Sequence, residues 1–184
     1  MVADVDIVNL ALIELNEEPI TSLSEDSEVA RAAKLIYSYT RNNLLRDHDW
    51  NFAIERVQLA PDITPPEFEF SNRFALPVNY LRALELYPKK TVYKIEGKYI
   101  LANADSICLK FIEIKPEDDW DFSFSLAMKH QLAADLAYRV TNNTSLKQQQ
   151  LSIANSIIDD AKRNNFDEDV PDEPLEGNWL EVRR

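Results

Sequence analysis

The stretch SEDSEVARAAKLIYSYTRNNLLRDHDWNFAIERVQL, Ser24–Leu59, decides how the rest of the chain is read. Val29, Ala33, Ile36, Thr40 and Leu44 recur at three- and four-residue steps, which is one face of an α-helix. Ala32 and Tyr37 widen that stripe, while Arg31, Lys34, Arg41 and Arg46 fall mostly outside it. Ser24 and Ser27 are both candidate N-caps, and Glu25, Asp26 and Glu28 put negative charge where a helix N-terminus favours it. A helix from Glu25 to Arg46 would be about 33 Å long at roughly 1.5 Å per residue. Asp47, His48 and Asp49 favour a stop, and Trp50-Asn51-Phe52-Ala53 follows directly. The helix is therefore expected to run without a break into a strand over 52–59, with Trp50 and Phe52 pinning the junction of helix and sheet.

Upstream, Asp4 can cap a first helix from Val5 to about Asn16, with Val5, Val8, Ala11 or Leu12, and Leu15 as its apolar face. Pro19 stops it and opens an extended connector. Downstream, the period changes from helical to strand-like between Phe52 and Ile114. Phe68, Phe70, Asn72 and Phe74 alternate with Glu69, Ser71 and Arg73, and Leu81–Leu86 is a third run. Val92–Glu96 and Tyr99–Leu101 flank Gly97-Lys98 as a hairpin, and Ile107–Ile114 is the last strand. Five or six antiparallel strands follow, enough for a small sheet or partly closed barrel.

After an acidic turn around Trp120, Asp121 or Ser123 can cap a third helix that reaches Val140. Its many Ala and Leu residues suggest packing against more than one neighbour. A fourth helix is expected from Ser145 to Asn164, with Leu146, Ile153, Ala154, Ile157 and Ala161 inward and Gln148, Gln149 and Gln150 outward. The predicted architecture is α+β. A four-helix bundle-like domain (1–50 and 117–166) carries an inserted antiparallel β domain (51–116) between its second and third helices. An extended acidic arm (167–184) follows. That arm should be disordered alone, yet Leu175, Trp179, Leu180 and Val182 are costly to leave in water, so it is expected to order on a partner.

The 184 residues carry a net charge of −12, and its placement says more than its size. Residues 1–30 hold eight acids and no base; residues 167–184 hold a net −5, which leaves the middle at +1. Sequence-independent nucleic-acid binding needs clustered Lys and Arg, which this distribution lacks. The single Cys108 permits no internal disulfide and is expected to be buried in its strand. No basic, apolar leader is visible, and no run approaches the ~20 apolar residues of a membrane span.

Catalytic signatures are missing as well. The chain has two glycines, Gly97 and Gly177, too far apart for a phosphate-cradling loop, and no GxSxG elbow. Left-handed backbone positions should fall on Asn or Asp instead. His48 and His130 are the only histidines. Neighbouring residues on a helix point apart, so Asp47, His48 and Asp49 do not converge on an ion, and no metal or cofactor is expected. His130 reads as a partner-facing or hydrogen-bonded histidine. Asn142-Asn143-Thr144 matches a glycosylation sequon but lacks a secretory signal. Glu117, Asp118, Asp119 and Asp121 could supply the two carboxylates of a glycosidase; a polysaccharide-degrading enzyme using the acids near Trp120 is the alternative reading.

The order of features is more specific than any one of them. Ala11-Leu12, Leu15-Asn16, Pro19-Ile20 and Ser22-Leu23 precede Ala30-Arg31, Tyr37, Arg41, Leu44-Leu45 and Trp50-Asn51-Phe52-Ala53. Leu76-Pro77, Tyr80-Leu81-Arg82, Ile95-Glu96-Gly97, Ile100-Leu101, Trp120-Asp121, Phe124, Ala127 and Leu132–Ala137 follow, leading to Thr141. This series resembles the tail tubular protein A family of short-tailed bacteriophages, the head-to-tail adaptor or gatekeeper proteins. The likeness covers about residues 5–165 and departs at Glu17, where glycine is expected. It implies a homo-oligomeric ring, commonly a dodecamer, between portal protein and tail nozzle protein. DNA passes through it without specific binding, and it has no catalytic role. It also implies assembly in the host cytoplasm and a place in the virion tail. The arm residues Leu175, Trp179, Leu180 and Val182 would then meet a neighbouring subunit or the portal, and truncation after Phe166 would weaken assembly. A third reading is a host-encoded helical interaction module.

Overall fold

The computed structural model describes residues 3–168, with side chains through position 163. Its order is α1 (Asp4–Glu14), α2 (Glu28–Asp47), β1 (Ile54–Leu59), β2 (Asn72–Ala75), β3 (Tyr80–Tyr87), β4 (Tyr93–Glu96), β5 (Tyr99–Ala102), β6 (Ile107–Glu113), α3 (Phe122–Thr141) and α4 (Thr144–Glu168). The fold is mixed α+β, with all six strands lying in sequence between α2 and α3.

Local chemistry sets the helix ends. The Ser27 side chain accepts from the Ala30 amide at 3.1 Å, so α2 begins three residues later than the charge pattern predicts, and Ser24 is not the cap. Ser24 sits instead in a turn, where its amide donates to Ser22 Oγ. Ahead of α1, Ala3 holds the cap position and its amide donates to Asp6 Oδ2 at 2.9 Å, displacing Asp4 from the expected role. The helix stops before Pro19, through Leu15 and a left-handed Asn16 (φ 56°). Asp121 caps α3 by accepting from the Phe124 amide at 2.6 Å. At its other end Asn142 (φ 52°) takes the left-handed position that glycine usually fills. In a chain so poor in glycine, Asn does carry two of the three positive-φ positions outside glycine among the described residues; Glu69 (φ 74°) is the third.

The continuous passage from helix to strand is corrected. A short 3-10 turn over Asn51–Ala53 stands between α2 and β1, and the strand starts at Ile54 rather than Phe52. Phe68 and Phe70 belong to a loop, because the positive φ at Glu69 breaks the extended run. Among the described residues the strands close no barrel. They make two three-stranded antiparallel sheets, β1-β6-β3 and β2-β5-β4. Ile54 pairs with Ile112 and Leu59 with Ile107 in the first; Phe74 and Ile95 flank Ile100 in the second.

Alternation along the first sheet places it as a middle layer. Ile54, Leu81, Leu84 and Ile112 join the helical core, while Val57, Leu59, Leu86, Leu109 and Phe111 join a second core with Phe74, Ile100 and Ala102 of the other sheet. Alternation puts Cys108 on the face that carries Ile112, opposite Ile107 and Leu109, but it joins neither core and is exposed rather than buried. On the helical side α3 is the centre, packed by α1, α2 and α4, with Phe124, Ala127, Met128, Leu132, Ala133, Leu136 and Ala137 fully buried. Its small side chains allow those close approaches. α4 starts at Thr144 and continues through Asp167 and Glu168, past the expected boundary of the arm. Gln148 and Gln149 are exposed, but Gln150 turns inward.

Candidate functional site

The end of α2, the start of β1 and the start of α3 converge on one aromatic cluster. Trp50 is fully buried and its indole N–H donates to the Leu44 carbonyl at 2.9 Å. That carbonyl is among the four that a helix end leaves without an intrahelical partner. Phe124 stands edge-on to Trp50 (centroids 5.0 Å apart), to Phe52 (5.1 Å) and to Trp120 (4.8 Å). Such edge-to-face pairs add about 0.5–1.5 kcal/mol each beyond area burial. Trp50 and Phe52 thus sit where helices and sheet meet.

The acids near Trp120 are bound into this junction. Glu117 accepts from the Tyr37 hydroxyl at 2.9 Å and lies 3.7 Å from Arg41. Burial, together with the negative charge of Glu117, pushes the Tyr37 phenol far above its ordinary value. Asp121 caps α3. Trp120 is buried, its N–H donating to the Lys115 carbonyl at 3.1 Å, so its ring offers no platform to a sugar. Lys115 bridges Glu55 and Glu113, whose hydrogen bonds raise its pKa, Glu113 foremost.

Asp47, His48 and Asp49 diverge. Asp47 pairs with Lys162 of α4 at 2.7 Å, Asp49 pairs with Arg82 of β3, and the His48 ring stands edge-on to Trp50 at 5.2 Å. Partial burial, aided by Lys162, lowers the His48 pKa. Among the described residues no three His, Cys, Asp or Glu side chains are grouped to hold a metal ion. No described helix is long and apolar enough to cross a membrane.

His130 and Gln150 form a buried pair, Nδ1 to Oε1 at 2.7 Å, which joins α3 to α4. Gln150, expected on the outside, is drawn in because an isolated buried histidine would cost more than the pair. Thr40, fully inside the α2–α3 contact, donates to Asp135 at 2.6 Å. A cleft of about 340 Å³ opens beside it, lined by Tyr39, Asn43, Asp47, Gln131, Asp135 and Asn155.

The residues that sequence reasoning missed are apolar and exposed: Leu10 and Ile13 on α1, Leu35 and Tyr39 on α2, Phe122 at the start of α3, and Ile63, Phe68 and Val78 on loops of the β region. Their signal was present, because each helical one lies off the stripe that faces the core. Leu175, Trp179, Leu180 and Val182, the expected interface residues of the arm, lie outside the described residues. Compared with protein-family models and with curated proteins, the chain matches none.

Proposed function

We propose that the chain is a structural subunit of a phage connector: a head-to-tail adaptor that closes into a ring between portal and tail nozzle and lets DNA pass. The ordered series of residues from Ala11 to Thr141 supports this reading. The observation that carries it furthest is the exposure of Leu10, Ile13, Leu35 and Tyr39 on helices whose opposite faces are already committed to the core. Apolar side chains repeated on the outer face of well-packed helices favour burial against further protein. In this reading the helices act as one bundle-like body, the strands hang from it as an insertion, and the arm with Leu175, Trp179, Leu180 and Val182 reaches a neighbour or the portal. A dodecamer is the ring size the resemblance favours.

Mixing the full chain with portal protein and measuring the mass of the product tests the reading. A complex holding many copies per portal ring is the expected result; a chain that leaves the portal unbound overturns it. A chain ending after Glu168, where α4 ends, should keep its fold and bind the portal more weakly. Unchanged affinity in that chain would remove the arm from the interface.

A further inference from the structure

β3 is an edge of the first sheet and β4 an edge of the second. A groove of about 310 Å³ between them is lined by Leu84, Glu85, Leu86, Lys89 and Tyr93. Around it Tyr87, Val92, Tyr93 and Ile95 are exposed, a run of apolar side chains that no described element covers. The same stretch, Tyr87–Lys98, carries Lys89, Lys90, Lys94 and Lys98 against one acid, Glu96, in a chain of net charge −12. Glu96 pairs with Lys94 at 2.9 Å, and the Lys89 ammonium stands over the Tyr87 ring. Lys90 and Lys98 have no acid partner among the described residues. Glu85, the one acid in the groove, is held by Lys110 at 3.6 Å and by the Tyr87 hydroxyl. The groove is thus apolar at its floor and basic at its rim.

We infer that the C-terminal arm of the same chain docks in this groove. Leu175, Trp179, Leu180 and Val182 would cover Leu84, Leu86 and Tyr93, and the arm's acids would face Lys89, Lys90 and Lys98. The arm has the matching chemistry: Asp169–Arg184 holds five acids against Arg183 and Arg184, interleaved with those four apolar residues. From Leu175 to Val182 it has no proline, so its backbone can donate hydrogen bonds to an unpaired strand edge. It also has the reach. Lys162 of α4 pairs with Asp47, and Asp49 pairs with Arg82, so α4 approaches its end beside the start of β3. The eight residues of β3 span about 26 Å, whereas the sixteen from Asp169 to Arg184 can span up to about 53 Å. The apolar floor of Leu84, Leu86 and Tyr93 suits leucine and indole better than phosphates, which argues against a nucleic acid as occupant. The inference goes beyond the collar reading and does not rest on it; within a collar, the portal or a neighbour would take the arm out of this groove.

Tryptophan fluorescence of the full chain tests it. The chain has three tryptophans, and Trp50 and Trp120 are buried, so acrylamide quenching read against Trp179→Phe isolates the signal of Trp179. In the unaltered chain Trp179 should be shielded from acrylamide, equally at low and high protein concentration. Lys89→Glu with Lys90→Glu, both at exposed positions, should lose that shielding. Adding Glu173→Lys with Glu176→Lys to the same chain should restore it. Circular dichroism checks that each fold persists. A Trp179 open to quencher in the unaltered chain, shielding that survives the charge reversal, or a reversal that the swapped arm does not rescue would each overturn the inference. Shielding that grows with concentration would put the arm on another copy and overturn it too. If Trp179 is shielded as described but the chain leaves the portal unbound, the collar reading falls and this contact stands. If the chain joins the portal although Trp179 was open beforehand, the contact falls and the collar reading stands.

Discussion

At the scale of single residues, Trp50 fills two needs at once: apolar volume at the junction and a donor for the Leu44 carbonyl. Trp50→Ala should lower stability by about 3–5 kcal/mol, the usual cost of emptying a large aromatic site. Trp50→Phe keeps most of the volume but orphans a buried carbonyl, and should cost about 1–3 kcal/mol. Urea midpoints for the two variants check the order; an unchanged midpoint in Trp50→Phe would mean that the N–H contributes nothing. His48 supplies a pH signature. Its folded pKa lies below the ordinary 6.5, chiefly because burial disfavours the imidazolium. Just below pH 6.5 the unfolded chain therefore binds more protons, so stability is intact above that value and falls as pH drops towards the folded pKa. Glu14 and Glu55, held low by hydrogen bonds from Lys129 and Lys115, add a separate loss only below their ordinary 4.5. His48→Gln should flatten the first slope and leave the second, as read from urea midpoints across pH. Cys108 and Gln150 show where residue-level reading failed. An apolar run does not reveal which face of a strand is covered, and a buried glutamine is recognisable only once its histidine partner is in place.

Elements were easier to read than their ends. The apolar period of α2 is plain in the sequence, because Ala33, Tyr37, Thr40 and Leu44 all meet the core. Its start is not, because Ser24 and Ser27 offer the same cap chemistry and only tertiary packing chooses. Ser27→Ala should cost about 1 kcal/mol, whereas Ser24→Ala should be near neutral, measured by thermal or urea unfolding. The opposite ranking would move the helix start back to Glu25. The six strands were nearly all legible from alternation, yet their division into two sheets was not. Pairing is decided by distant partners such as β1 with β6, which short-range pattern does not encode. The layer order follows from the same alternation once pairing is known, since Phe111 and Ile112 face different cores.

For the whole molecule, the helices, the first sheet and the second sheet form successive layers, with the aromatic cluster around Phe124 between the first two. The candidate surface was only half legible: the core stripes could be read directly, and what lies off them, Leu10, Ile13, Leu35 and Tyr39, gains meaning only when no other element covers it. If charge guides the joining of copies, added salt should weaken self-association of the full chain, since exposed charges are screened beyond about 8 Å at physiological ionic strength. Apolar contact alone would leave it unchanged or stronger. The most direct test of the central claim is the mass of the full chain across a wide range of concentration, with and without portal protein. The account predicts growth from the single 21.2 kDa subunit to a closed assembly of fixed copy number, completed by the portal. A chain that stays single under both conditions would contradict it.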